Sequence, residues 1–420
     1  MVKLTKHKLG DLIEVTRGAS LSGEYYAEEG RLVRLTLGNF DMNANGFKLN
    51  TSKTDLFFNG PMKPEFILNE GDIITPLTEQ SLGLLGTTAK VPESGKYIQS
   101  QDVALVKCKD GVDPDFIYYL LPSKIVRSQL SAAAQQTKIR HTSPDKIKDC
   151  TVWVTAYAEQ VKIGKLLSSL DRKIAHNKAI NHNLEAMARQ LYDYWFVQFD
   201  FPDENGKPYK SSGGKLVWKK KLKRNIPESW SVKNLFNAVD VRYGFPFSTE
   251  LFSEEKTSVP VVRIRDILEG TISAYSQEPT DEKYQLAKGD VVIGMDGNFH
   301  MNFWHDNNSY LNQRCVRLRP SESSAISSMQ LLYEIHPYIK AKEAQAKGST
   351  VGHLSDKDLK ALYVLQPNGS TFNPRKVFDA FLSKIIAAKE EVISLTKQRD
   401  ELFPLLMNGQ VSVNYDLSPC

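Results

Sequence analysis

"TKIRHTSPDKIKD" (137–149) and "STVGHLSDKDLKA" (349–361) are one phrase written twice, 212 positions apart. His141/His353, Ser143/Ser355 and Lys148/Lys360 are identical in the two copies. Each copy reads as a turn entering a short helix. Ser143 is placed to cap that helix, with Pro144 at its first position. Ser355 is placed to cap the second, and Asp358 three residues on completes a capping box. Each copy leads into a strand-like run, "TVWV" (151–154) and "YVLQ" (363–366). A phrase repeated at a fixed offset predicts a duplicated domain, so the rest of the chain is read in pairs.

The pairs come in order. "LGDLIEVTRG" (9–18) answers "VKNLFNAVDVRYG" (232–244), and "RLVRL" (31–35) answers "VVRIR" (261–265). "NEGDIITPLTEQ" (69–80) answers "AKGDVVIGMDGN" (287–298), and "IQSQDVALVK" (98–107) answers "YLNQRCVRLR" (310–319). "GDII" and "GDVVI" read as short β-rich runs after a turn glycine. Each half is therefore predicted to be a mixed α/β globule, and the whole an α+β chain with an internal repeat.

A long helix follows each globule. In the first, Ile163, Leu167, Leu170, Ile174, Asn177, Asn181, Leu184, Ala188, Leu191 and Trp195 alternate by four and three. A shift of 215 carries the first nine onto Phe378, Leu382, Ile385, Lys389, Val392, Thr396, Arg399, Phe403 and Leu406. Both seams are apolar at the ends and polar in the middle. Heptads sustained over this length predict a coiled coil. The first helix leads away from globule one and the second starts at globule two, so the pair is predicted to be antiparallel. Asn177 and Asn181 would set its register, unless they are water-exposed positions of a loose helix. Pro404 should kink or end the second helix. Helical residues 157–197 would span roughly 60 Å at about 1.5 Å per residue. A rod of that kind could hold two reading heads on duplex sites roughly 34–36 Å apart.

Composition narrows the function classes. The chain has 420 residues, enough for two or three domains. No apolar run is long enough to span a membrane, and "MVKLTKHKLGDLIEV" lacks a signal peptide's pattern. Cys108, Cys150, Cys315 and Cys420 show no metal-finger spacing and read as reduced thiols. The net charge is +5, but eight basic residues and no acid lie between Lys207 and Arg224. That run is either a solvated linker or a phosphate-facing patch. No phosphate loop, GxSxG, HExxH or kinase set is present. There is no Pro-Pro pair, which an adenine-amino methyltransferase corner requires, and "DEK" (281–283) has no Pro-Asp partner at a sensible distance.

Binding chemistry remains. Lys138, Arg140 and His141 lead into one helix start, and Ser349, Thr350 and His353 into the other, where free N–H groups favour phosphate. The loops after the "GD" runs differ, "TPLTEQSLGLLGTT" (75–88) against "GMDGNFHMNFWHDNN" (294–308). Two similar scaffolds with different polar tips would read two short base sequences. The candidates are Arg17, Thr78, Gln80 and Ser81 in the first half. In the second they are Asp296, Asn298 and His300, with Arg242 and Tyr243 nearby if the repeats superpose. The competing reading is solvated loop residues, with His141 and His353 each bonding its own turn.

"NLEAMARQLYDYWFVQFDFPDENGKPYKSSGGKLVWKKKLKRNIPESW" (183–230) resembles the central region of the specificity subunit of type I restriction–modification systems. The paired "GD" runs and the His-x-Ser phrase before each long helix are similar too, and the resemblance covers essentially the whole chain. It implies target-recognition domains at 1–155 and 229–370, spacer helices at 156–199 and 371–412, a linker at 200–228 and a tail at 413–420. It implies that each domain reads one half of an asymmetric bipartite DNA site. Leu167, Leu170, Ile174, Asn177, Asn181, Leu184, Leu191, Leu382, Ile385, Val392 and Phe403 would form the spacer and partner interface. The implied partners are double-stranded DNA, two methylating modification subunits and two restriction subunits, with no membrane. S-adenosylmethionine, ATP and Mg would belong to those partners, and this non-catalytic, cytoplasmic subunit would bind no cofactor. The rival reading is a coiled-coil adaptor that binds protein.

Overall fold

The computed structural model describes residues 3–42, 45–80, 82–133, 140–256, 258–346, 352–368 and 372–414. The chain forms two compact units, Met1–Lys173 with Leu395–Cys420, and Ile174–Ser394.

In the first unit, Val103–Cys108 lies between Ile73–Pro76 and Ile13–Arg17 in a four-stranded antiparallel sheet, with Ala89–Lys90 on the edge beyond Ile73–Pro76. In the second unit, Cys315–Pro320 lies between Val291–Gly294 and Val239–Tyr243, with Met301–Phe303 on the edge. Each unit adds a smaller sheet containing one parallel pair: Leu32–Arg34 with Tyr97–Ile98, and Val259–Val262 with Tyr310–Leu311. Each also ties its beginning to its end, Thr5–Lys8 to Thr151–Val154 and Ser231–Asn234 to Tyr363–Gln366. The predicted duplication is thus a duplication of strand order and direction.

The paired sequences explain the paired geometry. In the "GD" turns Gly71 and Gly289 sit at φ +85° and +87°. Asp72 accepts the amide of Asn69 at 2.8 Å, and Asp290 that of Ala287 at 2.7 Å. The glycines ending "VTRG" and "VRYG" are required by close approach. A Cβ on Gly18 would lie 2.3 Å from the carbonyl oxygen of Ser100, and one on Gly244 2.0 Å from that of Asn312.

The first long helix runs Tyr157–Tyr192 and continues as a π-helical turn over Asp193–Val197. The second runs Pro374–Met407 and ends three residues beyond Pro404, close to where the proline was expected to stop it. Within the first unit, Ile163 and Leu167 share a core with Leu406 and Met407. Tyr119 and Arg399 both donate to Asp171, at 2.6 and 2.9 Å. Within the second unit, Ala188, Trp195 and Phe196 share a core with Phe378, Leu382 and Ile385. In each unit the beginning of one helix meets the end of the other, so the pair is antiparallel. Leu170, Ile174 and Asn177 are buried as well, and Asn181, Leu184, Leu191, Val392 and Phe403 are half-buried. Burial of Asn177 removes the reading of that residue as water-exposed. Lys389 keeps a polar group in the second seam. Burial lowers its pKa, against the pull of Glu185 and Glu269.

One buried carboxylate stands out in the second unit. Glu334, on helix Ser328–Ala346, accepts the Leu365 amide at 2.8 Å and the Gln330 side-chain amide at 3.3 Å. Burial pushes its pKa up to about 7, against lowering by the Leu365 bond, Arg224 and Gln330. The folded unit therefore holds a proton that the unfolded chain releases from about pH 4.3 upward. Stability from this group is present below that pH, is lost as pH rises to about 7, and amounts to about 3 kcal/mol. Denaturant unfolding at acidic and mildly alkaline pH should show that loss, and Glu334→Gln should reduce the difference between the two by this group's share.

Candidate nucleic-acid interface

The repeated phrase does what its caps predict. The Ser143 hydroxyl accepts the Lys146 amide at 3.2 Å, and the Ser355 hydroxyl the Asp358 amide at 3.3 Å. Asp358 returns the bond by accepting the Ser355 amide at 3.0 Å. The residues just before these caps fold back onto the loop after the "GD" strand. Arg140–His141 forms a two-residue antiparallel ladder with Thr78–Glu79, and His353 bridges to Asp296. Each phrase is a clamp on the variable loop of its own unit.

The two clamps use different chemistry. In the first unit Glu79 is 2% exposed. One of its oxygens accepts the amides of Gly83, Leu84 and Leu85 at 3.0–3.1 Å. The other pairs with Arg140 at 3.3 Å. Arg140 also donates to the Ser131 carbonyl at 2.6 Å. In the second unit Asp296 accepts from Arg314 at 2.8 Å, and its other oxygen lies 2.6 Å from His353 Nδ1. Partial burial raises the Asp296 pKa, but the bonds to His353 and Arg314 outweigh it and hold the carboxyl below the usual range.

The candidates separate into holders and presenters. Thr78 is buried under the loop and Arg140 is paired with Glu79, so the structure gives both a holding role in the loop. Tyr243 donates to Asp356 at 2.7 Å and Arg242 pairs with Asp240 at 3.7 Å, so both brace the sheet end. Arg17, Gln80, His141, Asn298 and His353 are exposed, and His300 is half-buried beside the Asn298 tip. Ser81, Lys138, Ser349 and Thr350 lie outside the described residues.

A cleft and one residue went unread in the sequence, though the residue could have been read there. Gln80 lines a polar cleft of about 320 Å³ with Thr36, Asn50, Lys53, Gln101 and Asp102. Arg34 floors it, stacked 3.8 Å over Tyr26 and donating twice to the Asp55 carbonyl at 2.9 and 3.0 Å. These residues come from separate loops and carry no shared motif. Arg314 was legible, since "NQRC" lies inside one of the matched pairs. Among the described residues no group of three His, Cys, Asp or Glu is placed to hold a metal, and no helix is long and apolar enough to cross a membrane.

A duplicated domain with unlike polar tips, each copy built on paired helices, is a two-headed binding protein. The chain belongs to the family of the type I restriction–modification DNA specificity domain, whose pattern matches residues 1–186 and 227–390. It is 25% identical over 325 residues to the type I restriction enzyme MjaIX specificity subunit of Methanocaldococcus jannaschii, covering 73% of this chain and 71% of that one. It is 29% identical over 194 residues to the EcoBI specificity subunit of Escherichia coli, covering 45% and 40%. The fold is similar to the crystal structure of the S subunit from M. genitalium, with a TM-score of 0.63, 18% identity and 96% of each chain covered.

The clamps should differ in cost. Glu79→Ala strips three amides, two of them buried, and a guanidinium of their acceptor, a loss of about 3 kcal/mol. Asp296→Ala opens a half-exposed pair and should cost less than about 1 kcal/mol. Denaturant unfolding measures both. Amide exchange at Gly297 and Leu354, which close the second clamp through Gly352 and Met295, should quicken only in Asp296→Ala.

Proposed function

We propose that this chain is the sequence-reading subunit of a type I restriction–modification complex, each unit reading one half of a bipartite, asymmetric DNA site. The observation that carries this is one scaffold built twice with different tips. The first holds Gln80 above a polar cleft, and the second presents Asn298 and His353 beside Arg314. Amide, imidazole and guanidinium groups are the side chains that read base edges. Clamping them on buried strands reduces the ordering cost of contact.

In this reading the subunit performs no chemistry. Two modification subunits dock on the paired helices, bind S-adenosylmethionine and methylate adenine, and two restriction subunits supply ATP- and Mg-dependent steps. The setting is the cytoplasm of a bacterium or archaeon. A protein-binding adaptor would need the paired helices but has no use for two unlike polar tips.

Binding to a duplex carrying the mapped site should weaken steeply as salt rises, and a scrambled duplex should bind more weakly at every salt concentration. Equal affinity for both duplexes would sink the reading. Replacing residues 1–155 with another recognition domain should change one half of the methylated site and leave the other half intact, as read from a genome-wide map of modified adenines.

A further inference from the structure

The basic run between Lys207 and Arg224 is untouched by the reading above, and its structure is specific. Leu216–Lys219 and Arg224–Pro227 form an antiparallel hairpin whose four-residue turn is Lys220, Lys221, Leu222 and Lys223. One face is fixed to the core of the second unit. Ile226 is fully buried, and Val217 and Leu222 pack against the same cluster. The other face carries Trp218 opposite Asn225, and Trp218 is 62% exposed. Arg224 is directed inward, donating to the Phe196 carbonyl at 3.4 Å over the ring of Phe199. Lys215 is paired with Glu228 at 2.6 Å. Among the described residues, no carboxylate pairs with Lys219, Lys220, Lys221 or Lys223. Lys221 leans over Tyr363, at the start of the strand that follows the second clamp.

We propose that this hairpin is a sequence-independent DNA contact, its lysines 219, 220, 221 and 223 gripping phosphates outside the bases read by the second unit. The inference rests on the DNA-reading function above and adds to it a surface that reads nothing. Four ammonium groups without a carboxylate partner, three on the turn and Lys219 on the strand before it, suit a polyanion. Protein interfaces are depleted of lysine at their centres, whereas phosphate contacts draw on it regularly. The exposed Trp218 ring suits the apolar face of a sugar beside those phosphates. The hairpin's apolar side is already used by its own core, so no apolar surface beyond Trp218 is left for a protein partner.

The test replaces all four lysines by glutamine in the full-length chain, alone and assembled with its modification subunit. Each phosphate contact contributes about 0.9 to the slope of log affinity against log salt. The slope should become shallower by about 2 to 4, and affinity near physiological salt should fall about tenfold to a hundredfold. The loss should be the same on the mapped site and on a scrambled duplex, leaving their ratio unchanged. In the unmodified chain, duplex DNA should protect these four lysines from acetylation, a readout that does not need the variant to fold. An unchanged slope, or unprotected lysines, overturns the hairpin contact while a retained site preference keeps the reading function. A loss of modification-subunit assembly with an unchanged slope identifies a protein-docking face and also overturns it. A wild-type chain that binds no duplex overturns both.

Discussion

Each globule shares one apolar core with its own stretch of the two long helices, and the rest of the structure depends on that sharing. In the first unit Ile163, Leu167, Leu406 and Met407 belong to the same cluster as the sheet residues Ile13, Ile73 and Val106. In the second, Phe378, Leu382 and Ile385 belong to the cluster of Val291, Ile293 and Leu318. A helix seam buried in this way has no separate interface to slide on. Shifting it would pull fully buried side chains into water, at about 1.5–3 kcal/mol each. Polar additions then fix the register, with Asp171 gathering Tyr119 and Arg399 in one unit and Asn177 buried in the other.

Against that rigid base the variable parts are local. The "GD" strand, the glycine that lets two backbones touch and the capped phrase recur in both units. The loop they hold does not recur. The first unit closes its loop with a buried carboxylate and a guanidinium, the second with a half-exposed aspartate shared between an arginine and a histidine. A scaffold that holds its loops by backbone ladders and caps tolerates changes in the loop itself, because none of those bonds depends on the tip. That division suits a family of proteins that read DNA sequences.

The duplication, the antiparallel helices and the seam positions were legible in the sequence, because each rests on a period or an offset that survives without coordinates. The capped helices were legible from Ser143-Pro144 and Ser355-x-x-Asp358 for the same reason, since a cap is a contact between near neighbours. The site was legible only in outline. Thr78 and Arg140 were candidates for contact with DNA; Thr78 lies buried, and Arg140 is paired with Glu79, which folding brings near it. The cleft around Gln80 gathers side chains from loops far apart in the chain and left no local trace.

The sequence by itself determined two scaffolds, their pairing and the direction of the helices, since hydrophobic periodicity and repeated caps act over a few residues. Tertiary structure alone decided which polar side chains are spent inside and which face outward. That choice is made by burial, where a charge must find a partner, and partners such as Glu79 with Arg140 or Asp296 with Arg314 meet only when the loops close.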